Sequence, residues 1–311
     1  MARSLRDLRR KMRAIKSTRQ VTKAMELVAA SKMRKAVQNA QLLRHYALMA
    51  WQLLQHVAHV QREGHPFLTI RPVRRVLVVV FTSDRGLCGS LNTQVLRQAQ
   101  RYLQTLRSIP SFEHVEFLAV GRKGQQALVR AKNSVVAAFP AFSNNPIFRD
   151  VLPIARMVTE KFIDGTYDHV VLLYPDFVSA LVQEPTVKVL LPFSATELRS
   201  MIDGLATERI LKRDEALLGE NKSVADQYQF EPSDEAVFNT MLPKLTEVQL
   251  YQAALETAAS EHSARMVAMR NASDSASDLL DDLGLVYNQT RQANITAELA
   301  ELSASKAALD S

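Results

Sequence analysis

Two long stretches, one near each end of the chain, repeat apolar residues at helical spacing. In the first, one seven-residue series reads Leu8, Ile15, Thr22, Ala29, Ala36, Leu43, Ala50 and Val57. Its companion reads Leu5, Met12, Arg19, Glu26, Met33, Ala40, Ala47 and Leu54, and breaks at Arg19 and Glu26, where Val21, Met25 and Val28 take over the apolar role. Such drift is what a 3.6-residue helix does against a strict heptad. Between Val21 and Ala30 the helix is apolar almost all round, which predicts enclosure by more than one partner. Continuous to about Gln61, it would span roughly 90 Å at ~1.5 Å per residue.

The closing stretch is expected to start near Ser233, an N-cap after Pro232, with Pro243 kinking or restarting the helix. Leu245, Val248, Leu255, Ala259, Met266, Met269, Ala276, Leu280 and Leu283 then keep a seam, with Ile295, Leu299 and Leu302 near the end. A helix of such length cannot bury its apolar face alone, and the simplest partner is the other one. Charge supports the pairing. Residues 1–35 carry a net +10 and residues 271–311 a net −5, so a basic start meets an acidic end if the helices run antiparallel.

The middle of the chain changes period. Gly64, Pro66 and Pro72 end the first helix and read as a linker. RRVLVVVF (74–81) follows, a continuous apolar run that predicts a buried parallel strand. Similar runs lie at 115–120, 135–138, 169–174 and 186–191, alternating with helical patterns at 91–106, 124–132 and 148–162. The fold class predicted is α/β: a long antiparallel coiled coil built from the two chain ends, plus a central, Rossmann-like, doubly wound α/β domain. The expected divisions are 1–62 (N-terminal helix), 73–193 (α/β domain), 194–232 (insertion or connection) and 233–304 (C-terminal helix).

Size and composition fit that layout. The 311 residues suggest roughly two domains, 47% are hydrophobic, and only 6% are aromatic, a bias that suits close helix–helix packing. The single cysteine, Cys88, rules out an intramolecular disulfide framework. No apolar run approaches the ~18–20 residues of a membrane span. The basic start lacks the short apolar block and cleavage site of a signal peptide and is already in phase at Leu5.

Catalytic chemistry is hard to find. TSDRGLCGSLN (82–92) follows the first strand, and two glycines at a strand-to-helix turn can bring N–H groups to a phosphate. It matches neither dinucleotide nor P-loop spacing, so a tight turn needing small residues is the better reading. Cys88 has no paired histidine motif, and His56 and His59, at i,i+3, have no further ligand to complete a metal set. No catalytic, cofactor or metal residue is expected. A net charge of +7 and the basic first helix raise the alternative of a nucleic-acid or anionic-membrane binder. Against it, Arg19 and Glu26 fall within the apolar seam, where a basic region would keep its polar face clear. An NAD-type enzyme on the α/β domain is weakened by the missing fingerprint.

Four separated blocks carry a resemblance. IKSTRQVTKAMELVAASKMRKA (15–36), TSDRGLCGSLN (82–92), SEHSARMVAM (260–269) and YNQTRQANITAEL (287–299) resemble, in order, the signature blocks of the gamma subunit of the F-type rotary ATP synthase. The likeness runs from Arg3 to about Leu302. It departs at NASDSASDLL (271–280) and at LSASKAALDS (302–311), where the family commonly ends in an Ile-Val-x-Gly-Ala type tail.

The resemblance implies a non-catalytic rotor shaft on the cytoplasmic face of the bacterial inner membrane. The coiled coil would enter a ring of three alpha and three beta subunits, with the α/β domain gripping the epsilon subunit and the membrane rotor ring. Proton flow would turn the shaft and drive the beta sites through successive states. It further implies that Arg291, Gln292 and Thr296 hydrogen-bond a loop of one beta subunit. Met25 would lie near the acidic beta lever with Arg265 on the facing helix, Arg85 and Cys88 on the lever side of the α/β domain, and Tyr228 at the foot. In chloroplast members the segment matching 193–230 holds a regulatory cysteine pair; here it contains no cysteine, so no thiol switch is expected.

Overall fold

The structure, a computed structural model, describes residues 5–57, 65–142, 146–193 and 234–309. Helix α1 (Leu5–Val57) is rich in Ala, Leu, Met, Arg, Lys and Gln, all good helix formers, and has no Gly or Pro. Five strands follow: β1 (Arg75–Phe81), β2 (His114–Val120), β3 (Val135–Phe139), β4 (His169–Phe177) and β5 (Gln183–Leu191). Between them lie α2 (Leu91–Arg107), α3 (Arg122–Arg130) and α4 (Phe148–Ile163), and the described chain closes with α5 (Asp234–Leu309). The expected N-cap Ser233, the connection 194–232 and Tyr228 lie outside the described residues.

Packing divides the chain into two units, Ser31–Ala264 and a second made of Met1–Ala30 with Arg265–Ser311. In Ser31–Ala264 the strand order is β3-β2-β1-β4-β5. Strands β1 to β4 are parallel, with Val79 opposite Leu118 on one side and Leu172 on the other. One expectation fails here. The run at 186–191 was read as another parallel strand, but β5 pairs antiparallel with β4, Tyr174 opposite Thr186. Only residues 178–182 join the two strands, enough for a hairpin and far too few for a crossover helix.

Alternate strand residues feed opposite faces. Leu77, Val79, Phe81, Leu118 and Leu172 pack with Val151, Ile154 and Val158 of α4 and with Leu242, Leu245 and Ala253 of α5. Val76, Val78, Val80, Phe117 and Leu173 pack with Val95 and Ala99 of α2 and Leu128 of α3. Each such side chain, fully buried, contributes about 1.5–3 kcal/mol. The sheet is thus covered on both faces, as the continuous apolar strands require.

Two further expectations are corrected. The segment read as a linker supplies Phe67, which is buried, stacks on Phe162 at 6.2 Å and lies 6.4 Å from Phe193. Its carbonyl accepts from the Phe193 N–H at 2.7 Å, so a residue beyond the first helix is part of the core. Of the two outcomes expected at Pro243, a kink or a restart, the restart does not occur: α5 runs through it. Also in this unit, Ala36 packs with Ala258 and Ala259, and Leu43 packs on Val248, so α1 and α5 are antiparallel there.

In the unit of Met1–Ala30 and Arg265–Ser311, the buried positions are Leu8, Thr22 and Ala29 on α1 and Met269, Ser273, Ala276 and Leu283 on α5. Both sets contain the seven-residue spacing of the sequence pattern. Arg9 joins the two helices, its Nε donating to the Tyr287 hydroxyl at 2.8 Å while the guanidinium lies 5.3 Å from that ring centre.

Candidate functional site

The loop 82–92 leaves the C-terminal end of β1, where the chain order in the sheet reverses between β1 and β4. Open α/β sheets commonly bind ligands at such a point. Here the loop uses its polar groups on itself. Asn92 Oδ1 accepts the Ser83 N–H at 3.0 Å, and Asn92 Nδ2 donates to Ser83 Oγ at 2.7 Å and to Cys88 Sγ at 3.3 Å. Ser83 Oγ in turn donates to the Arg85 carbonyl at 2.6 Å. Asp84 Oδ1 accepts from the Arg122 N–H at 2.9 Å and the Ala141 N–H at 3.1 Å. Helix α3 has no acid in its first turn, so this carboxylate from another segment takes the N-terminal role.

The crevice beyond the strands is filled by α5. Phe81, Thr82, Val120, Ala141, Phe142, Ala254, Thr257 and Ala258 enclose a cavity of about 10 Å³, room for a single water. A nucleotide needs several hundred. Ser260 Oγ on the same helix donates to the Pro175 carbonyl at 3.0 Å. The small residues of AALETAAS (253–260) are what let a helix approach the strand ends so closely, a signal readable in the sequence but not used above.

What the loop offers outward is Arg85 and Leu87. Both are exposed, and Leu87 is held at φ 65°. A left-handed leucine costs roughly 1–2 kcal/mol, so the fold holds an apolar side chain in solvent under strain. The Cys88 thiol, expected to face a partner, instead points inward and is 2% exposed.

Met25 and Arg265 both fall in the unit of chain ends, each half-buried. Around Met25 the helix leaves Val21, Leu27 and Val28 exposed, at 56%, 61% and 55%. The described residues therefore do not enclose this apolar zone on every side. On α5, Arg291, Gln292 and Thr296 are exposed, and Thr296 Oγ1 donates to the Gln292 carbonyl at 3.0 Å. That leaves the Thr296 oxygen as an acceptor and Arg291 and Gln292 as the outward donors. Leu285, Ile295, Leu299 and Leu302 are exposed large apolar residues on the same helix. Past Tyr287, the apolar residues of the seam series are thus left exposed by the described residues. The Arg9–Tyr287 pair was not foreseen, since periodicity does not say which polar side chains cross between helices.

Comparison with known proteins gives one consistent result. Residues 4–309 match the ATP synthase family. The ATP synthase gamma chain of Roseiflexus castenholzii is 43% identical over 310 residues, covering 98% of each chain. That of Cupriavidus necator is 38% identical over 305 residues, covering 98% of this chain and 99% of its own. Among solved structures, a chain of the Tetrahymena thermophila mitochondrial ATP synthase central stalk and c-ring aligns with a TM-score of 0.56 at 26% identity, over 81% of this chain and 99% of that one. A chain from the Euglena gracilis mitochondrial ATP synthase F1 and c-ring assembly gives a TM-score of 0.64 at 23% identity, over 98% and 94%, a likeness of fold.

Proposed function

Because this chain belongs to the ATP synthase gamma-chain family, we propose that it is the central rotor shaft of a proton-translocating ATP synthase, coupling rotation of a membrane rotor ring to ATP synthesis and hydrolysis at catalytic beta subunits. The observation that carries the reading is the apolar surface left over in the unit of chain ends. Leu8, Thr22, Ala29, Met269, Ala276 and Leu283 already fill the seam, yet Val21, Leu27, Val28, Leu285, Ile295, Leu299 and Leu302 remain exposed. Surface of that kind on a stable helix pair calls for a further protein partner. A ring of three alpha and three beta subunits supplies one on every side.

The subunit itself does no chemistry in this reading: nucleotide hydrolysis belongs to beta, and gamma acts by making different contacts in each orientation. Met25 and Arg265 meet the acidic lever of beta, while Arg291, Gln292 and Thr296 meet a beta loop. Arg85, with Leu87 beside it, meets beta on the lever side of the α/β domain. Tyr228 belongs to the foot that meets the epsilon subunit and the rotor ring. No described helix is long and apolar enough to cross a membrane, in keeping with a peripheral place in the complex. Its relatives in Roseiflexus and Cupriavidus support a bacterial site, on the cytoplasmic face of the inner membrane.

Co-purification tests the assignment. A tagged chain expressed in its host should bring down alpha- and beta-type subunits in a fixed ratio of three each. Replacing Arg291 and Gln292 together with Ala should lower coupled ATP synthesis by more than about tenfold, because each lost charged or amide hydrogen bond is worth about 1–3 kcal/mol. Both side chains are exposed, so the thermal stability of the isolated subunit should not change. Unchanged synthesis in the double variant would remove these residues from the coupling contact.

A further inference from the structure

One face of α5, within Ser31–Ala264, is polar where it should be apolar. Gln252 and Glu256, at i,i+4, are 5% and 7% exposed, buried among the alanines and leucines that seat the helix on the sheet. Gln252 Nε2 donates to Glu256 Oε1 at 2.8 Å. The other oxygens of the pair, Gln252 Oε1 and Glu256 Oε2, have no hydrogen-bond partner. An ionised carboxylate buried with one oxygen undonated is among the most expensive arrangements a protein interior can hold.

The surroundings act on ionisation in both directions. From β4, Tyr174 and Asp176 face the Glu256 carboxyl; from β5, Lys188 does. Asp176 is a second acid, and its charge raises the cost of ionising Glu256. Tyr174 is itself buried and keeps its proton, its own acidity suppressed first by burial and then by Glu256 and Asp176. The first helix packs Ala36 and Val37 beside this stretch, with Phe177, Ala258 and Ala259. Hydrogen bonds from Gln252 and Tyr174 and the charge of Lys188 work in the opposite direction, favouring the charge. Burial wins: the Glu256 carboxyl is pushed up to about 7, by desolvation first and Asp176 second.

We propose that Glu256 is a proton-binding site that sets how firmly α5 is seated on the ends of β4 and β5. With the proton bound, the carboxyl is neutral, keeps its bond from Gln252 and has an O–H to turn toward the Asp176 carboxylate. Without it, the buried Glu256 carboxylate is repelled by the half-buried Asp176, the charge of Lys188 acts against that repulsion, and α5 is held less tightly. The same helix stretch carries Ala254, Thr257 and Ala258 into the sheet crevice and Ser260 onto Pro175, so a looser seat is felt at the strand ends as well.

The sign of the effect is fixed. A carboxyl with its folded-state pKa raised stabilises the fold below its unfolded value and loses that contribution as pH rises through about 7. Unfolding of the full-length subunit in urea, measured from pH 5.5 to 8.5, should show the unfolding constant rising on the order of tenfold more for the wild type than for E256Q. Infrared difference spectra should show a protonated carboxylic acid C=O band in the wild type that titrates near neutrality and is missing in E256Q. D176N removes one negative neighbour and should move that titration to lower pH. If E256Q does not fold, the wild-type band and its displacement in D176N decide the matter. Parallel stability curves for wild type and E256Q, or no carboxylic acid band at pH 6, would overturn the proposal.

Discussion

Gly121 lies so close to Thr82 that a Cβ on the glycine would stand 2.1 Å from the Thr82 carbonyl oxygen. The contact ties the ends of β1 and β2. Thr82 N–H donates to the Val120 carbonyl at 2.8 Å, and the Gly124 N–H donates to Thr82 Oγ1 at 2.8 Å. Gly121 also sits at φ 104°, a region that L side chains rarely enter. G121A should therefore destabilise the α/β unit by about 3 kcal/mol or more, from strain and backbone clash together. G124A meets Thr82 Oγ1 at 2.7 Å, a side-chain atom rather than a carbonyl, and should cost less. Urea midpoints with unchanged slopes would give both numbers; an equal cost for the two would contradict the geometry.

Asp168 holds the start of β1 from across the sheet. Its Oδ2 accepts from the Arg75 backbone N–H at 3.1 Å and Nε at 3.2 Å, and its Oδ1 from Arg75 Nη2 at 3.0 Å. Burial alone would raise the Asp168 pKa, but the hydrogen bonds and charge of Arg75 outweigh it and hold it below the usual value. A carboxylate with a depressed folded pKa stabilises above its unfolded value near 4 and loses that contribution as pH falls through the folded one. D168N should cost about 2 kcal/mol at pH 7 and progressively less toward pH 2, by urea unfolding. A cost independent of pH would show that the charge is irrelevant.

The buried thiol makes a clear chemical prediction. Cys88 accepts from Asn92 and is enclosed by its own loop, so a maleimide should label the native subunit slowly and the urea-unfolded one rapidly. A cysteine engineered into the beta lever should cross-link to L87C, at the exposed loop tip, in preference to Cys88. Fast native labelling of Cys88 would show that the loop opens readily.

Met25→Lys probes the apolar zone of α1. Met25 is half-buried, so the lysine stem can lie along the helix and carry its ammonium to solvent, and stability should change by no more than about 1 kcal/mol. In the assembled complex the new charge would face the acidic beta lever. Coupled synthesis should drop while hydrolysis continues, and substitutions at Arg265 should modify the effect. A large loss of thermal stability in the isolated subunit would show instead that Met25 only fills space.

Much of this was legible in the chain itself. The seven-residue series through Leu8, Thr22 and Ala29 names the buried seam of α1, because a helix can hide only one stripe and the apolar period says which. The run RVLVVVF names a central strand, because only a strand covered on both faces tolerates unbroken apolar side chains. The four signature blocks named the family. What periodicity could not decide is pairing between distant segments. The apolar end of β5 reads like that of a parallel neighbour, and its five-residue connection to β4 is what makes it antiparallel. Phe67 reads as linker because one aromatic between prolines has no period, yet Phe162 and Phe193 enclose it. Cys88 and Glu256 look in sequence like ordinary residues of a loop and a helix. Their burial follows from Asn92 and from the small residues that bring α5 onto the sheet, relations that exist only once distant segments meet.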